Sequence, residues 1–136
     1  MKTKHRDNLL KLADYLATLP DDYEKFHMRE YMAERDGEYW HMIYPDERSK
    51  PVCGTVACAV GHGPAAGIRV YGDTDWSDYA DRVFGILGDD GFDYMFASNW
   101  SYSDNTPKGA AARIRTYVAL GRTPDGWSFE DAKVMA

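Results

Sequence analysis

Apolar residues recur at helical spacing near both ends of the chain, and these two segments predict its first and last helices. Leucine and alanine side chains of the segment from Asp7 to Leu19 fall on one face, and Pro20 ends that helix. The last helix starts at Thr106, with Pro107 at the first helical position, and runs to Leu120 before Gly121. The side chains predicted to face inward from it are Ala110, Ala111, Ile114, Tyr117 and Val118.

Two further helices are predicted between these. Asp75 is a capping residue for a helix from Trp76 to Leu87, and Gly88 is its expected stop. A shorter helix starts at Asp89 or Asp90. Its expected core residues are Phe92, Met95 and Phe96.

The segment between the first two helices allows two interpretations. Arms at 26–32 and 38–44 around Asp36-Gly37 fit a β-hairpin, because Asp-Gly is a favoured tight turn. The alternative is a helix from Tyr23 to Arg35. We prefer the hairpin.

Glycine and alanine dominate the stretch from Cys53 to Gly67, which predicts close packing. Thr55 is interpreted as the N-cap of a short buried helix from Val56 to about Gly63. Cys58 would then be inaccessible. The whole pattern predicts a mainly α (α+β) fold in a single domain, residues 1–136, with about four main helices, a core over 7–121 and a C-terminal tail over 122–136.

Charge and composition narrow the classes of function. The 136 residues carry a net charge of −6, which argues against binding nucleic acid by phosphate neutralisation. No apolar run approaches the roughly 20 residues that cross a bilayer, and the basic N-terminus does not lead into the apolar run of a signal peptide. We therefore expect a cytoplasmic protein that makes no membrane contact, with both cysteines as thiols.

Candidate chemistry is concentrated between Pro51 and Gly63, which holds both cysteines. A metal site would use Cys53, Cys58 and His62 and would need a further ligand, such as His27 or His41. The spacing typical of zinc sites, Cys-x-x-Cys, does not occur. We therefore expect no metal or other cofactor.

Two other chemical interpretations exist for the same stretch. Cys58 and His62 are four residues apart, so on a helix they share a face and could form a nucleophilic dyad. The segment from Gly61 to Ala66 fits Gly-x-Gly-x-x-Ala, with Asp81 at the distance of the ribose-binding acid, although Asp81 falls in a predicted helix. We favour a purely structural role, in which small residues allow close packing and the thiol behaves as a small apolar group.

The stretch Cys53-Gly-Thr-Val-Ala-Cys58-Ala-Val-Gly-His62 resembles a motif of short, uncharacterised proteins of phages, prophages and bacteria. In these proteins Cys-Gly-Thr-x-x-Cys-x-x-Gly precedes His or Trp. The order of the other parts is similar, from a Leu-rich first helix through Phe26-His-Met28 to the helix that starts at Thr106. The resemblance implies a phage-type origin and a mainly helical fold, and it implies no activity.

Binding without catalysis is therefore the expected function. The first hypothesis is an inhibitor of a host protein, one that acts in defence or processes nucleic acids. The second is a binder of a small anionic ligand, such as a signalling nucleotide, and the third is a thiol- or zinc-dependent enzyme. The predicted binding residues combine aromatic and basic side chains: Trp100, Tyr102, Lys108 and Arg113 near the start of the last helix, and Arg69 and Tyr71 after the glycine-rich stretch.

Overall fold

A computed structural model describes residues 1–20, 32–36, 39–42, 45, 55–57, 59–73, 75–86, 90–96 and 106–126. Within this part the chain forms four α-helices: α1 (Thr3–Ala17), α2 (Trp76–Phe84), α3 (Asp90–Phe96) and α4 (Pro107–Leu120). It also forms three short strands, β1 (Met32–Asp36), β2 (Tyr39–Met42) and β3 (Thr55–Ala57), and a 3₁₀ turn over Val60–His62. The predicted mainly helical character is confirmed.

Helix α4 begins and ends where the sequence predicts. The Thr106 side chain accepts a hydrogen bond of 3.0 Å from the Gly109 amide, which satisfies one of the amides left open in the first turn. At the other end, Gly121 has a φ of 72°, a left-handed conformation that glycine adopts without steric cost. The capping signals in the sequence therefore set both ends of this helix.

Helix α2 starts as predicted but ends earlier. The Asp75 carboxylate accepts a hydrogen bond of 2.8 Å from the Asp78 amide, as an N-cap does. The helix ends at Gly85, with a φ of 66°, and not at the predicted Gly88. Two glycines close together offer two possible stops, and the earlier one ends the helix because its amide caps the carbonyls of Ala80 and Asp81.

Helix α1 begins four residues earlier than predicted, at Thr3, and ends at Ala17, two residues before the predicted end. The prediction started at Asp7 because no core-facing apolar residue precedes Leu9. The structure continues the helix through this polar turn, where the Arg6 amide donates to the Lys2 carbonyl at 3.1 Å.

The predicted helix from Val56 to Gly63 is wrong in its first half. Thr55–Ala57 form β3, which pairs antiparallel with β1, with Val56 opposite Ala33. The chain then turns, and only Val60–His62 are helical, as a single 3₁₀ turn. Threonine and valine favour strands where a partner strand is present, and here that partner comes from about twenty residues upstream. Thr55 is consequently not a helix cap.

The strands form a three-stranded antiparallel sheet in the order β2-β1-β3. β1 pairs with β2 so that Asp36 lies opposite Tyr39 and Ala33 opposite Met42. The predicted hairpin with a first arm over 26–32 is not supported, because only the last residue of that arm lies in the described part of the chain and β1 begins there. The alternative helix ending at Arg35 does not fit, because the chain is extended over Met32–Asp36.

The helices bury one apolar cluster. α1 packs against α4 and α2, and α3 packs against α4. The largest fully buried apolar side chains are Leu9, Leu12, Leu16, Trp76, Tyr79, Phe84, Tyr94 and Met95. None of the helices that the structure describes is both long enough and apolar enough to cross a bilayer.

Candidate functional site: a tyrosine between two arginines

The segment that leads into α2 exposes alternate side chains. Ile68 and Val70 are buried in the core, whereas Arg69 and Tyr71 are exposed. Burial therefore alternates from one residue to the next over residues 68–71, which leaves Arg69 and Tyr71 on the solvent side. Tyr71 is 67% exposed, which is high for a large aromatic residue.

Asp73 fixes the turn that follows Tyr71. One carboxylate oxygen accepts a 3.0 Å bond from the Tyr71 amide, and the Arg82 guanidinium donates to both oxygens, at 2.7 Å (Nη2 to Oδ2) and 3.0 Å (Nε to Oδ1). The same Arg82 nitrogen Nη2 donates to the Arg69 carbonyl at 2.7 Å. One side chain of α2 therefore holds the turn at two points.

Solvent reaches the Asp73 side of this ion pair less than the Arg82 side. The Asp73 side chain is only 6% exposed and the Arg82 side chain 31%. The hydrogen bonds from Arg82 lower the pKa of the Asp73 carboxyl below its ordinary value, although burial opposes the shift. The bonds to Asp73 in turn raise the pKa of the Arg82 guanidinium. Both groups remain charged near neutral pH.

Two arginine guanidinium groups lie against two tyrosine rings, one exposed and one buried in the core. The Arg69 Cζ atom lies 5.3 Å from the centre of the Tyr71 ring, and the Arg82 Cζ atom lies 5.9 Å from the centres of both the Tyr71 and the Tyr79 rings. These distances are within cation–π range, worth roughly 0.5–1 kcal/mol each at exposed sites. They restrict the Tyr71 side chain although most of its surface faces solvent. We call Arg69, Tyr71 and Arg82 the Tyr71 surface.

Tyr79 anchors this arrangement in the core. Its hydroxyl donates to the Ile68 carbonyl, and its ring meets Trp76 edge to face at 5.4 Å. A Cβ atom at Gly63 would collide with the Tyr79 ring, so the 3₁₀ turn can approach only because position 63 is glycine. Burial raises the pKa of the Tyr79 hydroxyl, so this hydroxyl stays protonated as a donor.

The predicted binding residues separate into two groups. Arg69 and Tyr71 lie together at the surface, with the guanidinium against the ring. Trp100 and Tyr102 lie outside the described residues. At the start of α4, Lys108 is exposed, but Arg113 is fully buried. Arg113 is buried because it lies three residues from Ala110 and four from Tyr117, on the inward face of α4. It does not belong to an exposed edge.

The structure describes only part of the cysteine-containing stretch from Pro51 to Gly63. His62 is fully buried, and its ring centre lies 6.4 Å from that of Tyr15, so its surroundings resemble those of a core histidine. Cys53 and Cys58 lie outside the described residues, so their predicted accessibility stays a prediction. Among the residues that the structure describes, no three His, Cys, Asp or Glu side chains form a group able to hold a metal ion. The dinucleotide-binding interpretation of Gly61 to Ala66 does not fit. The strand before this segment, Thr55–Ala57, pairs antiparallel, and turns rather than a helix follow the 3₁₀ turn over residues 63–67.

Sequence reasoning missed Asp73 and Arg82, the two residues that organise the Tyr71 surface. They are nine residues apart, on opposite sides of the α2 N-cap, and neither helical nor strand spacing brings them together. The local signal was Tyr71-Gly72-Asp73, since an acid beside a glycine is typical of a turn closed by a side chain. Gly72 has a φ of 71°, a left-handed conformation that favours glycine.

Comparisons with known proteins give no relative on which to base a function. No protein-family model, curated protein or solved structure matches the chain.

Proposed function

We propose that this chain is a binding protein without catalysis of its own, and that it docks on a protein of its bacterial host through the Tyr71 surface. The observation that carries the proposal is the combination of high exposure and fixed contacts at Tyr71. Its side chain is largely exposed, yet a backbone hydrogen bond to Asp73 and two guanidinium groups restrict it. An aromatic side chain ordered before binding loses little conformational entropy when a partner covers it.

The residue types also favour a protein partner. Tyrosine and arginine are enriched among the residues that dominate binding energy at protein interfaces. Both occur here side by side on a turn that an ion pair makes rigid. A small-molecule site usually buries most of its ligand in a cleft, whereas a tyrosine residue that is 67% exposed is available to a partner's surface.

The identity of the partner as a host protein rests on the resemblance described above. The motif from Cys53 to His62 is similar to that of short phage and prophage proteins. A small acidic protein of that kind could inhibit a host enzyme by covering its surface. A defence protein or a nucleic-acid-processing protein is the expected target, in the host cytoplasm.

Affinity capture with matched variants tests this proposal. Tagged wild-type protein, Tyr71→Ser and Leu120→Ser are incubated with bacterial lysate, and the retained proteins are compared by mass spectrometry. Leu120 is the control because it is also an exposed apolar residue, 49% exposed, at the end of α4. We expect a host protein retained by the wild type and Leu120→Ser but lost with Tyr71→Ser. Equal retention by all three proteins would refute the Tyr71 surface as the docking site.

A small anionic ligand is the second candidate, and one observation favours it. Two guanidinium groups lie against one tyrosine ring, an arrangement that suits a phosphate beside a planar base. Titration of a cyclic dinucleotide into ¹⁵N-labelled protein would shift the Arg69 and Arg82 side-chain signals if this candidate is right. Unchanged signals at millimolar nucleotide would exclude it.

A further inference from the structure

Three polar side chains of α1 donate hydrogen bonds to backbone carbonyls outside α1, two of them in α2. His5, Asn8 and Lys11 follow one another at intervals of three residues, so each is a neighbour of the next on the helix surface. The His5 ring nitrogen Nε2 donates to the Arg82 carbonyl at 3.2 Å, and Asn8 Nδ2 donates to the Val83 carbonyl at 2.9 Å. Lys11 Nζ donates to the Gly67 carbonyl at 3.3 Å.

The first two acceptors belong to the last turn of α2. Carbonyl groups in the last turn of a helix lack partners within the helix, so donors from another element satisfy them and also fix the position of that turn. The position after the helix is Gly85, and the His5 ring lies where a Cβ atom of residue 85 would be. The absence of a side chain at Gly85 is what allows His5 to reach the Arg82 carbonyl.

Arg82 connects this contact to the candidate site. Its backbone accepts from His5, while its side chain binds Asp73 and the Arg69 carbonyl and lies against Tyr71. A small displacement of the last turn of α2 would move the guanidinium away from these acceptors, because hydrogen bonds weaken steeply with distance and angle.

We propose that His5 and Asn8 are positioning residues for the Tyr71 surface: from α1 they hold the last turn of α2 at the place where the Arg82 side chain can order Tyr71. The importance of this positioning for partner binding rests on the proposed function. The positioning itself is a property of the isolated protein and is measured without a partner.

Side-chain NMR on the full chain tests the inference. The variants are His5→Ala, Asn8→Ala, the conservative His5→Gln, which keeps a donor, and the control Lys11→Ala, whose contact is to Gly67 and not to α2. The two readouts are the solvent exchange rate of the Arg82 Nε proton and the pH titration of the Asp73 carboxyl. The amide exchange rate of Ile114 in α4 reports general loosening.

We expect His5→Ala and Asn8→Ala to accelerate exchange of the Arg82 Nε proton by about fivefold each, the equilibrium change that one lost hydrogen bond produces. The Asp73 titration midpoint should rise toward its ordinary value in both. His5→Gln should restore both readouts in part, and Lys11→Ala and the Ile114 amide should show no change.

Two results would overturn the inference. One is a His5→Ala protein with wild-type Arg82 exchange and Asp73 titration. The other is an equal effect of Lys11→Ala, which would mean that any loss on α1 loosens the protein. If His5→Ala does not fold, Asn8→Ala gives the same test. Loss of partner retention plays no part in these readouts, so failure of the proposed docking site and failure of this inference are told apart.

Discussion

Asp73 is the residue on which the order of the Tyr71 surface depends. Both of its oxygens accept from Arg82, and one of them also accepts from the Tyr71 amide. Asparagine at this position would keep one acceptor oxygen and replace the other by a donor that faces Arg82. The charge of Arg82 would then lack its counter-ion in a partly buried place.

Replacing Asp73 by Asn should therefore lower the free energy of unfolding by about 1.5–3 kcal/mol, the range for a hydrogen bond to a charged group. Urea denaturation at pH 7 measures this loss. Asp125→Asn is the control, because the Asp125 side chain is 91% exposed in its ion pair with Arg122 and such pairs contribute little. A loss no larger than that of the control would contradict the role given to Asp73.

The same ion pair predicts how stability depends on pH. The pKa of Asp73 is lower in the folded protein than its ordinary value of 3.8, so the unfolded chain binds the proton more readily. The stability that Asp73 contributes is complete above its ordinary pKa and is lost as the pH falls through the lower, folded-state pKa. The difference in unfolding free energy between wild type and Asp73→Asn should stay constant from pH 7 to about 5 and shrink below about pH 4. A difference that grows on acidification would contradict this assignment.

At the scale of elements, the contact between α1 and the end of α2 depends on one glycine. Gly85 and Gly121 both end a helix in the left-handed conformation, with φ values of 66° and 72°. They differ in their surroundings, since a Cβ at Gly121 meets nothing within 4 Å, whereas one at Gly85 overlaps the His5 ring. Substitutions at these two glycines therefore separate the free-energy cost of the backbone conformation from that of the contact with His5.

We predict that Gly121→Ala lowers the free energy of unfolding by about 1 kcal/mol, the cost of placing a side chain in the left-handed region. Gly85→Ala should cost at least about 1 kcal/mol more, because His5 must also leave its site. In a His5→Ala background, the cost of Gly85→Ala should fall to that of Gly121→Ala. Denaturant curves of the four variants measure this, and equal costs at the two glycines in the wild-type background would show that His5 does not constrain Gly85.

At the scale of the whole molecule, helices from the two ends of the described chain share one core. Leu9, Leu12 and Leu16 of α1 and Ile114 of α4 belong to the same buried cluster, and α1 and α4 pack together. Elements that bury each other's apolar faces gain stability together, so we expect them to unfold as one unit.

Replacing Ile114 by Ala should cost about 2–5 kcal/mol, the range for removing a large aliphatic side chain from a core. Hydrogen exchange should accelerate in α1 by the same factor as in α4. The Val118→Ala variant, at a partly buried position of the same helix, is the milder control. If α1 kept its protection against hydrogen exchange while α4 lost it, the two helices would be separate unfolding units.

Helices α4 and α2 show how far local signals extend. Thr106, Pro107 and Gly121 are a capping residue, a helix starter and a helix stop, and they bound α4 as predicted. Asp75 caps α2 in the same way. These signals are reliable because the groups that satisfy the open amides and carbonyls of a helix end lie within four residues of it. The inward faces were predictable for the same reason, since helical spacing relates residues three and four apart.

Local signals were insufficient wherever the deciding partner is distant along the chain. Thr55–Ala57 form a strand because β1 lies alongside. Gly85, not Gly88, ends α2, and His5 of α1 occupies the space beside it. The sequence by itself determined the presence of the four helices, the capping roles of Asp75 and Thr106, and the apolar faces that the helices bury. Tertiary structure alone decided that Asp73 meets Arg82 and that Arg113 is buried, because hydrogen bonds and burial between distant segments exist only once the core has brought those segments together.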